Sequence, residues 1–355
     1  MKILLGADPE IFVRERATGE LASAHGLVKG DKKNPFPVPL GAVQVDGMAL
    51  EFNIDPAEEG DFERNITSVM RTLEKMCPKY DLVPEAVAHF GHDLIQAQPF
   101  EARELGCEPD FNAWDDGRPN NPPNIDTPFR TGAGHIHIGW CEDVDNNHWE
   151  HIEACHMVCK QLDFLLALPA LLFDTGGKER RELYGAAGAY RPKSYGVEYR
   201  TLSNFWISEP RYIQWVEKVT RLAIDLLMAD EKAYIEFETN AGAILAHING
   251  EDWVGCPNYL IRRVIHFYNI PLPDGWIEEH DCCGDFTKFV DTHAEDYVPK
   301  KSDSLGARFV EVCLADADPL KGWDYEYEPP VPHLKDMDYN ERLQAGGIDV
   351  HKGGR

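Results

Sequence analysis

Positive charge is scarce in this chain: 35 Lys and Arg stand against 61 Asp and Glu, a formal net charge of −26 over 355 residues. A surface of that sign repels a phosphate backbone unless a local basic groove intervenes, so nucleic-acid binding is not expected. Long apolar runs are lacking as well. The longest, Phe164 to Phe173, is broken by Pro169 and falls far short of the roughly 20 residues that span a bilayer. Near the amino terminus, Asp8 and Glu10 end the apolar run before it could serve as a signal segment. A soluble, cytoplasmic chain with no membrane partner is expected. Nine cysteines, an odd number, include no Cys-x-x-Cys pair, which argues against a disulfide framework or a zinc knuckle and for reduced, buried thiols. Adjacent Cys282 and Cys283 could bridge only with strain. There is no Walker motif, no Gly-x-Gly-x-x-Gly fingerprint and no Gly-x-Ser-x-Gly elbow. P-loop and Rossmann nucleotide binding and the serine-elbow hydrolases are thereby excluded at the level of motifs.

The hydrophobic fraction, 43%, suffices for one large core or two modest ones. Apolar and polar residues alternate over Lys2 to Val13, Val43 to Ile54, His135 to Cys141 and Tyr195 to Leu202, which predicts strands. Asp46-Gly47 between alternating apolar residues predicts a hairpin turn and hence an antiparallel pair. Helical periodicity appears over 59–77, 146–168, 209–229 and 251–268. This order, without regular strand-helix-strand units, predicts an α+β fold. The stretch 107–130, rich in Pro, Asn and Asp, is too long for a connector and reads as a lid or binding loop. From about 316 the chain becomes acidic and rich in Pro and Tyr, so the expected organisation is one domain over 1–315 and an extended arm over 316–355.

Residues two apart on a strand share a face, about 7 Å apart. By that rule Asp8 pairs with Glu10, Glu51 with Asn53, His135 with His137 and Glu198 with Arg200, while the opposite faces are apolar. An antiparallel sheet with one wet face would also alternate. Wet faces, however, carry Thr, Lys and Ser, whereas these carry carboxylates and imidazoles beside glycines, as in Gly132-Ala-Gly134-His135 and Tyr195-Gly196-Val197-Glu198. If Asp8, Glu10, Asp46, Glu51 and Glu198 converge, each like-charged pair at about 7 Å repels by roughly 2 kcal/mol at an effective dielectric near 20, so cations must hold the cluster together. Carboxylate oxygens with one or two imidazoles, His135 or His137, suit Mg²⁺ or Mn²⁺. Arg200, Arg191, Lys193 and Arg130 are the cationic candidates for phosphate or carboxylate oxygens, and Arg200 leads them because it shares the Glu198 face. His148, His151 and His156 read as helix-surface or core-edge groups, and His89, His92, His247 and His266 stay unassigned.

Taken together, Gly6-Ala-Asp-Pro-Glu-Ile-Phe12, Asp46-Gly-Met-Ala-Leu-Glu-Phe-Asn53, Arg130-Thr-Gly-Ala-Gly-His-Ile-His-Ile-Gly139, Tyr184-Gly-Ala-Ala-Gly-Ala-Tyr-Arg191 and Tyr195-Gly-Val-Glu-Tyr-Arg200 resemble, in order, the motifs of phage-type carboxylate-amine ligases of the glutamine synthetase and glutamate-cysteine ligase superfamily. The resemblance covers roughly residues 1–205. It implies a curved, mainly antiparallel sheet forming a funnel, with helices on its outer face, that binds ATP and two or three magnesium ions. Asp8 and Glu10 would be paired metal ligands of the first strand, Asp46 and Glu51 the hairpin acids, and His135 or His137 with Glu198 the ligands bridging metal to phosphate. Arg200 would contact the transferred phosphoryl group. Asp8 departs from the double glutamate of the glutamate-cysteine ligases. The implied reaction phosphorylates a carboxylate and lets an amine displace the phosphate, with small-molecule or peptide substrates, a homo-oligomer compatible with it, and the host cytoplasm as its place if the gene is a phage's. Two other readings stand beside it: a metal-dependent hydrolase, for which His-x-His argues, and an acidic interaction protein, for which the net charge argues.

Overall fold

The computed structural model describes residues 2–103, 110–120, 127–229, 237–250 and 257–276, and the arm expected over 316–355 lies outside them. The domain expected over 1–315 is thus described as far as residue 276. The strands are β1 (Leu4–Ala7), β2 (Glu10–Glu15), β3 (Leu21–Ala22), β4 (Phe36–Val38), β5 (Gly41–Asp46), β6 (Ala49–Ile54) and β7 (Tyr80–Val83), then β8 (Val87–His89), β9 (Phe111–Asn112), β10 (Arg118–Pro119), β11 (Phe129–Thr131), β12 (Ile136–Gly139), β13 (Ala189–Lys193) and β14 (Gly196–Tyr199). They form two larger sheets, one ordered β1-β12-β14-β13-β9-β10 and one ordered β3-β2-β6-β5-β4 with β7 added on β2, plus the pair β11-β8. Every pairing is antiparallel. With the helices this makes the expected α+β architecture, and the sheet curls as a half-barrel.

The strand expected over Lys2 to Val13 is two strands. β1 ends at Ala7 and joins the first sheet beside β12, while β2 starts at Glu10 and joins the second beside β6. Pro9 sits at the break, where its missing N–H cannot serve a ladder. Its carbonyl accepts from Phe52 N at 3.2 Å, and Glu10 N donates to Ala133 O at 2.8 Å, so the crossover is tied to both sheets. The predicted hairpin is present: β5 and β6 pair from Gly41↔Ile54 to Asp46↔Ala49, and Gly47 takes the positive φ of +57° that the turn requires. Gly196 opens β14 at φ +152°, and a Cβ there would lie 2.0 Å from Ile138 O, so only glycine lets β14 lie against β12.

Helices occupy Phe62–Met76, Trp149–Leu162 and Pro210–Met228, close to the predicted spans, and Pro257–Phe267 lies within the fourth. The second of them continues into a π-helical turn, Asp163–Ala167, and a short helix, Leu168–Ala170. Trp149–Leu162 packs beneath β13 and β14, and Pro210–Met228 lies against it and against Phe62–Met76. Leu5, Ile136, Ile138, Val197 and Tyr199 enter this common core. The other side of the same strands is therefore left for the ionisable residues. Within the stretch read as a lid, residues 110–120 fold as β9 and β10 and extend the first sheet, because Ala189↔Asn112 and Tyr190↔Phe111 pair across β13 and β9. That part is sheet edge, a correction to the expectation of a lid. Among the described residues no helix is long and apolar enough to cross a membrane. Among the described residues Cys77, Cys141, Cys155 and Cys159 are buried thiols.

Candidate functional site

Register brings the first group together. His137 stands opposite Glu198 across β12 and β14, and Glu198 stands opposite Arg191 across β14 and β13. Asp8, just past the end of β1, completes a group in which one oxygen or nitrogen each from Asp8, His135 and Glu198 lies within 4.8 Å of the others. Asp8 Oδ1 is 3.2 Å from His135 Nδ1 and 3.1 Å from His137 Nε2, and Tyr195 pairs through its hydroxyl with His137 Nδ1. A wet sheet face would expose these groups; instead His135 is 6% exposed, His137 2%, Glu198 1% and Arg200 3%. Cations surround the glutamate: Arg200 Nη1 donates to its Oε1, Lys193 Nζ lies 2.9 Å from its Oε2, and Arg191 Nη1 lies 3.8 Å from Oε1.

The second group is acidic throughout. Glu10 and Glu51 face each other across β2 and β6, Asp46 closes β5 two residues from Gln44, the partner of Glu51, and these three carboxylates also come within 4.8 Å of one another. The cation paired with them is Lys32, with Nζ 2.9 Å from Asp46 Oδ2 and a side chain 46% exposed. A single cleft reaches both groups, lined by Glu10, Lys32 and Asp46 on one side and by Arg130, His135, Tyr184 and Arg200 on the other.

The electrostatics of the two groups run in opposite directions. Burial works to raise the Glu198 carboxyl, but Arg200 and Lys193 outweigh it and hold the group well below the usual range. Asp8 is likewise lowered, because the His137 and His135 rings overcome its burial. The pull of His135 acts only where that ring is protonated. Burial and the Arg200 charge push His135 itself down to about 4, so at neutral pH it is a neutral imidazole with a lone pair to offer. Across the cleft, burial and the Asp46 charge raise Glu10 to about 7, and burial with Asp46 and Asp8 raises Glu51 well above the carboxylate range. Lys32 does not offset three acids. Hard divalent ions bind oxygen ligands at about 2.0–2.6 Å, so a coordination sphere is about 4–5 Å across. Both groups meet that dimension. The donor chemistry differs: all oxygen in the second, oxygen with imidazole in the first.

The residues proposed from sequence fall into three sets. Asp8, His135, His137, Glu198, Arg200, Arg191 and Lys193 meet at the first group, and Glu10, Asp46 and Glu51 at the second. Asp8 and Glu10, expected side by side on one strand, are divided between the two by the break at Pro9. Arg130 lines the cleft, but its guanidinium is committed to backbone: Nη1 donates to Phe129 O at 2.8 Å and Thr127 O at 3.2 Å, and Nη2 to Arg103 O at 2.9 Å. His151 and His156 stand apart, bonding Lys193 O and the Tyr190 hydroxyl.

Three neighbours escaped the sequence reading. Lys32 comes from a turn-rich stretch with no periodicity to mark it. Buried Asp110 accepts from Arg200 Nε at 3.4 Å. Fully buried Arg180 donates to Arg200 O and Thr201 O at 3.0 and 2.9 Å and so holds the end of β14 from below. Neither Asp110 nor Arg180 carries a local sequence signal, because each is placed by a tertiary contact, with Arg200 or with the backbone that follows β14.

Residues 127–239 match the family described as Phage phiEco32-like COOH.NH2 ligase-type 2. The matched segment, about a third of the chain, carries β12, β13 and β14 and with them His135, His137, Arg191, Glu198 and Arg200. Among solved structures it is similar to one described as "Crystal structure of novel glutamine synthase homolog", at 10% identity and a TM-score of 0.33, covering 83% of this chain and 71% of the other. No curated protein sequence matches it.

Proposed function

We propose that this protein is an ATP- and magnesium-dependent ligase that forms an amide bond between a carboxylate and an amine through an acyl-phosphate. The observation that carries the reading is an all-carboxylate group, Glu10, Asp46 and Glu51, beside a carboxylate ringed by Arg200, Lys193 and Arg191, with one cleft lined by Glu10 and Asp46 of the first and by Arg200 and His135 of the second. Magnesium held by these groups would supply electrostatic neutralisation of phosphate charge. Glu10, Asp46 and Glu51 would hold one ion, and Asp8, Glu198 and His135 or His137 would hold another; Mn²⁺ fits the second set equally.

Arg200, Arg191 and Lys193 supply cationic donors at the position where phosphate oxygens would lie, and fixed donors of this kind stabilise developing charge without reorganising. Arg130 keeps its guanidinium on backbone carbonyls and acts as a wall of the cleft. A nucleophile from the enzyme is not required, since the substrate amine is the attacking group. The funnel-like sheet and the family match over 127–239 support the reading. The hydrolase reading needs further histidines, and among the described residues His151, His156 and His89 have partners elsewhere, at Lys193 O, Tyr190 and Glu179.

The test is calorimetry with a nonhydrolysable ATP analogue, with and without magnesium, on the wild type and Glu10→Ala. Magnesium-dependent binding that the substitution abolishes is the expected result. Trapping with hydroxylamine then reports the acyl-phosphate as a hydroxamate, once a panel of carboxylates has been screened by ADP release. Absence of nucleotide binding under every metal condition, with and without candidate substrates, overturns the proposal.

A further inference from the structure

A carboxylate on the far side of the sheet is not used by the chemistry above. Asp163 lies in the π-helical turn, is 0% exposed, and accepts two short hydrogen bonds, from Tyr199 Oη to Oδ1 and from Trp114 Nε1 to Oδ2, both at 2.6 Å. These two donors belong to different parts of the chain. Tyr199 is the β14 residue between Glu198 and Arg200, so by strand alternation it points away from the cleft while they point into it. Trp114 follows β9, in the segment that carries Asp110. Its indole sits over Gly188, where a Cβ would come within 2.5 Å of Trp114 Cδ1, and Ala113 N bonds Gly188 O at 2.9 Å. Asn112 Oδ1 accepts from Trp114 N at 2.9 Å and closes the turn. On the cleft side, the residues next to these anchors meet: Arg200 Nε donates to Asp110 Oδ2, and both side chains are almost wholly buried.

We propose that Asp110 is the positioning residue for Arg200, and that Asp163 sets their register from the opposite face of the sheet by binding Tyr199 and Trp114 at once. A guanidinium gripped at Nε cannot swing about its stem, so its Nη1 stays directed at Glu198 and His135, both of which it contacts. Reach of this kind matters because a misplacement of about 1 Å at a reacting group can cost on the order of 100-fold in rate. The π-turn fits this role: a local widening of the helix is a costly feature that recurs at functional positions, and here it aims a carboxylate at two donors.

The role of Arg200 rests on the ligase reading, so the test uses two readouts. In turnover, Asp110→Ala is expected to lower kcat about 10- to 100-fold while KM for nucleotide stays within about threefold. Trp114→Phe, which removes only the indole donor, is expected to lower kcat about three- to tenfold, and to have no further effect in the Asp110→Ala background because both act through Arg200. Independent losses that multiply, or kcat unchanged in both folded variants, overturn the proposal. If the wild type turns over no substrate, the ligase reading fails on its own and the second readout decides the clamp. The ¹⁵Nε–¹H signal of Arg200, assigned by its absence from Arg200→Lys, should be protected from exchange in the wild type, lost in Asp110→Ala and faster-exchanging in Trp114→Phe. An Arg200 signal equally protected in all three refutes the clamp whatever the reaction.

Discussion

The two halves of the cleft are built from the same raw material, buried or half-buried acids on adjoining strands, and differ in who neutralises them. Glu198 is answered by the protein's own Arg200, Lys193 and Arg191. Glu10, Asp46 and Glu51 have the Lys32 ion pair, half in solvent, one backbone donor, Ala133 N, on Glu10, and a weaker pull on Glu10 from the Arg180 charge. The first half is therefore complete as a folded ion-pair network, and the second is left in deficit until a cation arrives. Preorganisation for an anion and appetite for a metal are thus separated by one strand break, and substitutions should behave differently on its two sides.

The largest effect is expected on the first side, in turnover. Arg200→Ala or Glu198→Gln should reduce kcat by about 10²- to 10³-fold, the range seen when one fixed donor to developing charge is removed. ADP release under saturating nucleotide checks it, and activity within threefold of wild type in either variant would erase the functional distinction between the halves.

Next comes stability, where the sign itself separates the two. Glu198→Ala leaves Arg200 and Lys193 facing a missing partner, so unfolding in denaturant should show a loss of about 3–5 kcal/mol. Glu10→Gln or Glu51→Gln, measured in chelator, should raise the melting temperature instead, because a buried like-charge contact disappears. A fall in both cases would show that the acid trio is compensated in some other way.

A pH titration sharpens the same contrast. With its folded value near 7 against an ordinary 4.5, Glu10 keeps its proton in the folded state after the unfolded chain has lost it. The folded state then binds more protons, so metal-free stability should fall as pH rises from about 4.5 to about 7 and level off above. Glu198, lowered, does the reverse: its contribution is present above the ordinary carboxylate value and is lost as pH falls through its folded value. Magnesium should raise the melting temperature more at pH 7.5 than at pH 5, to about the extent that it discharges the trio. Equal shifts at the two pH values would argue against ligation by Glu10.

The smallest effect belongs to Lys32. Its ion pair is half exposed and worth about 1 kcal/mol or less, so Lys32→Met should tighten magnesium binding by no more than about fivefold. Weaker binding instead would mean that the ammonium assists the bound cation's other ligands rather than competing with it.

Much of this arrangement was legible beforehand because it depends on local periodicity. His135 with His137 and Glu198 with Arg200 share faces by alternation, and Asp46-Gly47 specifies its own turn. The order of the motifs carried the rest of the first group. What failed was continuity: the alternation of Lys2 to Val13 runs on through Pro9, and periodicity alone does not register that the hydrogen-bonding partner changes there. Asp110, Arg180 and Asp163 were beyond reach for another reason. Each is placed by contacts more than 15 residues away in sequence, with Arg200, Thr201, Tyr199 or Trp114, and a buried polar residue announces itself only through the partner that satisfies it.

The crossover Asp8-Pro9-Glu10 also bears on the order in which the molecule matures. Two peptide steps, about 7 Å of chain, join a residue that needs Glu198 to one that needs Glu51. Glu51, which faces Glu10 across β2 and β6, lies 41 residues downstream, whereas Asp8 must await a strand almost 200 residues downstream, and contacts of the larger separation form later. On refolding, the metal-seeking half should therefore be assembled first and the anion-binding half last. Affinity for magnesium would then return before affinity for nucleotide, and the delay between them would time the docking of one sheet on the other.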